Sequence, residues 1–141
     1  MALARYLADT SVWARLHLEQ IDRIFPPLVE SGLVATCGVV DLEVLYSTRS
    51  GAEHALVQLQ RRGLEWLPMP DEVWDRAIAV QGAMAERGIH RAASIPDLLI
   101  AATAERHGVT LLHYDSDFDL IASVTGQSAE WGSSPLRVVM G

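Results

Sequence analysis

Short apolar segments suited to strands alternate along this chain with longer segments of helical period, and that alternation restricts the possible folds more than any other feature. The strand-like segments are A4-R-Y-L-A8, L33-V-A-T36, L64-E-W-L67, V109-T-L-L-H113 and L136-R-V-V139. Between them, residues 19–31, 38–48, 52–62, 71–87 and 96–107 carry apolar side chains three and four apart, as in Val73, Ala77, Val80 and Met84. Strands separated by helices cannot be joined as hairpins, so the sequence predicts an α/β fold with a mostly parallel central sheet flanked by helices. Gly32, Gly63, Gly88 and Gly108 each follow a helical segment, where a left-handed terminal residue favours glycine. Pro96 falls in the first turn of its helix, where a missing N–H costs nothing. Pro26-Pro27 predicts a break or kink in the first long helix. The stretch from Gly126 to Ser134 is the least regular, and the 141 residues suit a single domain over 1–141.

Four acidic residues lie where strands end or helices begin: Asp9 in L-A-D-T-S, Glu43 in V-D-L-E-V-L, Asp97 in S-I-P-D-L-L and Asp115 in H-Y-D-S-D-F. None has a basic neighbour in sequence. Carboxylates gathered without Lys or Arg repel one another, and a divalent cation is the usual means of holding them together. Each has a structural alternative. Asp9, Thr10 or Ser11 can cap the next helix, Asp41 and Glu43 can mark a solvated face, and Asp97 suits the dipole of a helix N-terminus. Asp115, Asp117 and Asp119 are spaced like part of a calcium loop, but Leu120 replaces its glycine and Gly126 its terminal glutamate. Independent caps do not explain why two strand ends and two helical segments all present unpaired carboxylates. The joint pattern predicts a metal site of Asp9, Asp97, Asp115 and Asp117 with Glu43 beside it, and all-oxygen ligation suits Mg²⁺ or Mn²⁺ better than zinc.

The net charge of −7 argues against electrostatic wrapping of nucleic acid, so an enzyme acting on phosphodiesters would meet its substrate through metal ions. All eleven basic residues are Arg. The lack of Lys disfavours a metal-dependent phosphatase or phosphoacceptor domain, which places a Lys beside the phosphoryl group. Cys37 is the only cysteine, no apolar run reaches the length of a membrane span, and no signal-peptide core forms before Asp9, so a cytoplasmic protein is expected. Trp13, Trp66, Trp74 and Trp131 are expected mostly in the core or an interface. They do not alternate with basic residues, so no stacking platform for single strands is indicated. His107 and the Arg61-Arg62 pair are read as favourable charges at helix C-termini.

The ordered set D9-T-S, a helical Glu43, I95-P-D-L-L-I-A-A102 and Y114-D-S-D-F-D-L-I-A122 resembles the PIN-domain ribonucleases, in particular the VapC-type toxins of bacterial toxin–antitoxin pairs, over nearly the whole chain. The resemblance implies a Mg²⁺-dependent endoribonuclease that leaves 5′-phosphate and 3′-hydroxyl ends, dimerises and is neutralised by a cognate antitoxin. Its acidic residues carry over onto Asp9, Glu43, Asp97 and Asp115, with Asp117 auxiliary and Ser11 as the hydroxyl beside the first acid. His113 departs from the Thr or Ser of many relatives and is a candidate for phosphate contact or proton transfer, with an ordinary strand-end residue as the alternative. Apart from the resemblance, Arg87 and Arg91 bracket the loop leading to Asp97 and are candidates to reach RNA phosphates, with solvated loop charge as the alternative. A PIN-like module that binds RNA or protein without cutting remains the alternative of a different class.

Overall fold

A computed structural model describes residues 2–132. Five parallel strands form one sheet in the order β3-β2-β1-β4-β5: β1 (Tyr6–Ala8), β2 (Val34–Thr36), β3 (Glu65–Trp66), β4 (Thr110–His113) and β5 (Ala129–Trp131). The helices are α1 (Thr10–Trp13), α2 (Glu19–Glu30), α3 (Gly38–Tyr46), α4 (Gly51–Arg61), α5 (Asp71–Glu86), α6 (Ile95–His107) and α7 (Asp117–Thr125). The α/β expectation holds. The expected strand over 136–139 lies outside the described residues.

Strand alternation splits the core into two layers. Tyr6 and Ala8 pack with Ile21, Phe25 and Leu28 of α2 on one face, while Leu7, Ala35 and Leu111 meet α3, α5, α6 and α7 on the other. Helix α6 is enclosed, with every residue from Leu98 to Ala104 buried. Ser94 caps it by accepting the Asp97 N–H at 3.2 Å, and Gly108 ends it at φ 67°. Phe118 and Ile121 anchor α7, each burial contributing about 2 kcal/mol.

The chain runs from β1 to β2 on one side and later returns to β4 on the other, so β1 and β4 flank the point where the strand order reverses. Ligands of open parallel sheets collect in the crevice at the carboxyl ends there. Asp9 follows β1 directly and Asp115 stands two residues past β4.

Four sequence expectations are corrected. Helix α2 runs through Pro26 and Pro27; the carbonyls deprived of donors belong to Asp22 and Arg23, which are exposed and open to water, while buried Ile21, Phe25 and Leu28 hold the helix in place. Gly63 lacks the left-handed conformation found at Gly32, Gly88, Gly108 and Gly126. The irregular stretch after Gly126 contains the edge strand β5. Of the tryptophans expected in the core or an interface, Trp66, Trp74 and Trp131 are 56%, 50% and 36% exposed, which removes the core half of that expectation for these three. Among the described residues, no helix is long and apolar enough to cross a membrane.

Candidate metal centre

The first carboxylate is fixed by the turn that follows β1. The Asp9 N–H bonds to the Leu112 carbonyl of β4 at 2.9 Å, and its Oδ2 accepts the Ser11 N–H at 2.9 Å. The capping alternative is therefore realised, and the same residue also faces the crevice. Asp9 is only 4% exposed. The Ser11 hydroxyl accepts the Tyr114 N–H at 2.8 Å, which ties the turn after β1 to the turn after β4.

Asp115 and Asp117 occupy that second turn, where Asp115 Oδ1 accepts the Asp117 N–H at 3.0 Å. Asp97 enters from the N-terminus of α6. Carboxylate oxygens of Asp97, Asp115 and Asp117 lie within 4.8 Å of one another, a grouping that could hold a metal ion after small side-chain adjustments, since ligands about 2.1 Å from one Mg²⁺ stand no more than about 4.2 Å apart. Glu43 closes the crevice from α3, its Oε1 accepting the Thr10 hydroxyl at 2.9 Å. Thr10, which the sequence offered only as a cap, thus joins the two elements carrying Asp9 and Glu43.

The charges of these groups also act on one another, and of them Asp97, Asp115 and Asp117 are the three brought within ligand range. Burial, then the charges of Asp9, Asp115 and Glu43, push the Asp97 carboxyl up to about 7, against the opposing hydrogen bond from Ser94. Glu43 is raised by burial and by Asp9, against Thr10, and Asp117 by burial and Asp115. Among the described residues the Arg–carboxylate pairs are Arg23–Glu19, Arg61–Asp41 and Arg76–Glu105, none of which touches the cluster. A low-dielectric crevice holding several carboxylates with no Arg partner is suited chemically to a divalent cation.

His113 is corrected. Its ring is fully buried, tilted against Phe118 and Trp131 with centroids 5.4 and 4.9 Å away, so it cannot meet a phosphate in solvent. Burial holds its pKa below the ordinary value despite nearby Asp119, and the neutral ring accepts the Asp115 N–H at Nδ1, 3.4 Å away. Its Nε2 lies 3.5 Å from Asp119 Oδ1 but is too poorly aligned to form a hydrogen bond. Arg91 and Arg87 are exposed near the start of α6. Asp41 is not part of a solvated face: Arg61, 6% exposed, donates to its Oδ1 at 2.7 Å and to the Thr36 hydroxyl at 3.0 Å, and stacks on Trp13 at 4.6 Å. The dipole explanation of Arg61 is replaced by this buried clamp. Its only sequence signal is an Asp within an apolar helix followed twenty residues later by an Arg. His107 stands in the last turn of α6, where it acts as a donor, its Nε2 bonding to the Pro68 carbonyl at 2.7 Å.

Comparison with known proteins agrees with this geometry. The family model of the PIN domain matches residues 6–124. Ribonuclease VapC21 of Mycobacterium tuberculosis is 46% identical over 132 residues, covering 93% of this chain and 96% of that protein. Ribonuclease VapC51 of the same species is 44% identical over 131 residues, covering 93% and 94%. Among solved structures, DNA-bound VapBC from Salmonella typhimurium superposes with a TM-score of 0.74 at 16% identity, covering 92% of this chain and 99% of that one. The fold, the family match and these relatives together show that this chain belongs to the PIN-domain family.

Proposed function

We propose that the protein is a divalent-metal-dependent endoribonuclease and the toxin of a type II toxin–antitoxin pair. The observation that supports the reading is the grouping of Asp97, Asp115 and Asp117, with Asp9 and Glu43 near enough to raise the Asp97 carboxyl and no Arg partner for the group among the described residues. Relatives named Ribonuclease VapC at 46% and 44% identity support the reaction class, and the likeness to VapBC complexes supports pairing with an antitoxin.

Asp97, Asp115 and Asp117 would hold the ion, with Asp9 reaching it from the floor of the crevice; Mg²⁺ fits, with Mn²⁺ as a substitute. When bound, such an ion lowers the pKa of water and stabilises charge on phosphate oxygens. The chain's own residues prepare this chemistry. Burial and the charges of Asp9 and Asp115 favour the protonated Asp97 carboxyl, and a bound cation would offset those charges and favour its anion. Glu43, raised by burial and held by Thr10, is placed to take a proton from an attacking water. Ser11 joins the two strand-end turns, His113 braces the turn after β4, and exposed Arg91 is available to a flanking phosphate.

A homodimer and a small antitoxin whose Arg enters the acidic crevice complete the proposal, because a guanidinium would satisfy the same carboxylates as the metal. The test is incubation of purified protein with total RNA, with and without Mg²⁺, followed by mapping of the ends. Metal-dependent 5′-phosphate and 3′-hydroxyl ends are expected, and Asp97→Asn should nearly abolish them. Undiminished cleavage by the folded variant would refute the site.

A further inference from the structure

The tryptophans do not alternate with basic residues in sequence, but the parallel sheet brings together what the sequence separates. Trp131 ends β5 and is in register with His113 at the end of β4, so both reach the sheet's carboxyl edge. Tyr114 follows at once, its ring edge-on to Trp131 at 5.4 Å. The Arg15 guanidinium lies over the Tyr114 ring at 5.3 Å. Its Nη1 donates to the Ser11 carbonyl at 2.9 Å. Gln20 reaches the Tyr114 hydroxyl at 3.4 Å.

We infer that Arg15, Tyr114 and Trp131 form a subsite for one nucleotide of single-stranded RNA beside the acidic crevice. The inference rests on the reading of the protein as a ribonuclease and adds where the substrate strand is gripped. Three observations carry it. Ser11 is a shared junction: its N–H binds Asp9, its hydroxyl accepts from Tyr114, and its carbonyl accepts from Arg15. The subsite is thereby joined to both strand ends that supply carboxylates. Arg15 has further N–H donors beyond the one used on Ser11, and guanidinium is the group that both pairs with phosphate and stacks on bases. Tyr114 and Arg15 are half-buried and Trp131 is 36% exposed, so the step is built into the fold and keeps part of its surface in solvent.

The chemistry also answers a need of this chain. With net charge −7, the chain as a whole repels RNA, and a cation stacked on an aromatic ring adds a hold on the strand beside those of the metal and Arg91. Bases of any sequence have a face to stack, so the subsite would orient the strand without reading its sequence.

The test uses the full chain and a fluorescein-labelled, mixed-sequence single-stranded RNA 20-mer. Binding is followed by anisotropy in Ca²⁺ at several salt concentrations, and cleavage is followed separately in Mg²⁺. Arg15→Gln should weaken RNA binding about tenfold and reduce the salt slope by about one. Tyr114→Leu should weaken binding about fivefold or more with the slope unchanged. Arg15→Lys should keep the slope and lose part of the affinity. In all three, Mn²⁺ affinity measured by electron paramagnetic resonance should match the parent, whereas a purely structural role at Ser11 would lower it. Folded variants that bind RNA like the parent while the parent cleaves it overturn the subsite alone. A parent that neither binds nor cleaves RNA overturns the ribonuclease reading and the subsite with it. Loss of antitoxin binding with RNA binding intact would also overturn the proposal.

Discussion

Removing the charge of Asp97 should make the metal-free protein more stable while destroying its response to metal. Burial and the neighbouring acids raise this carboxyl from 3.8 to about 7, a bias of about 4 kcal/mol against its charged form at about 1.4 kcal/mol per pH unit. Asp97 is only partly buried, and screening by water brings the expected cost to about 2 kcal/mol. Because the folded value lies above the unfolded one, the cost is absent below about pH 4, where the group is protonated in both states. It grows with pH and is complete above about pH 7. Asp97→Asn keeps the shape and the backbone N–H that Ser94 accepts. In EDTA the variant should therefore melt with the parent near pH 4 and about 6 °C above it near pH 8, taking about 3 °C per kcal/mol for a chain of this size. Saturating Mg²⁺ reverses the order: at a hundred times its dissociation constant it stabilises the parent by about 2.7 kcal/mol and the variant far less. Thermal melts at the two pH values, with EDTA and with Mg²⁺, measure all four quantities. A variant that melts below its parent in EDTA at pH 8, or gains as much from Mg²⁺, would refute the electrostatic account.

Asp41→Ala leaves the Arg61 guanidinium buried without its carboxylate and should cost about 3–5 kcal/mol in urea unfolding. An added Cβ at Gly132 would sit 2.9 Å from Val12 Cγ2, so Gly132→Ala should lower stability by about 1–3 kcal/mol, measurable by the same unfolding curve. Cys37 is buried, and burial raises its thiol pKa; a thiol reagent should label it only at the rate of unfolding, and rapid labelling of native protein would contradict this packing. Thr10→Val removes the hydroxyl that lowers the Glu43 pKa, so the acid limb of the cleavage profile should move to higher pH.

The sequence announced those parts of the fold whose signals are local. β1, β2 and β4 are apolar runs buried on both faces, and Gly32, Gly88 and Gly108 mark helix ends because only a left-handed residue fits there. β5 is a three-residue edge strand, Ala-Glu-Trp, with no apolar run to reveal it, and it exists because β4 offers an unpaired edge. The carboxylates were legible because unpaired acids at strand ends are costly unless used. Their partners were not. Thr10 and Glu43 are 33 residues apart, Asp41 and Arg61 are 20, and nothing short of the packing of α1, α3 and α4 makes these pairs neighbours. His113 misled for a related reason: a histidine next to a site invites a chemical role, whereas the β5 edge and Phe118 enclose its ring.

The bond between Ser11 and Tyr114 joins residues 103 apart, and the pairing of β1 with β4 spans a similar distance. During synthesis, therefore, the segment bearing Asp9 waits for most of the chain before it meets the segments bearing Asp97 and Asp115. A partly made chain on a ribosome cannot assemble the crevice. If the proposed ribonuclease activity is this chain's, that order of events delays harm to the messenger being translated.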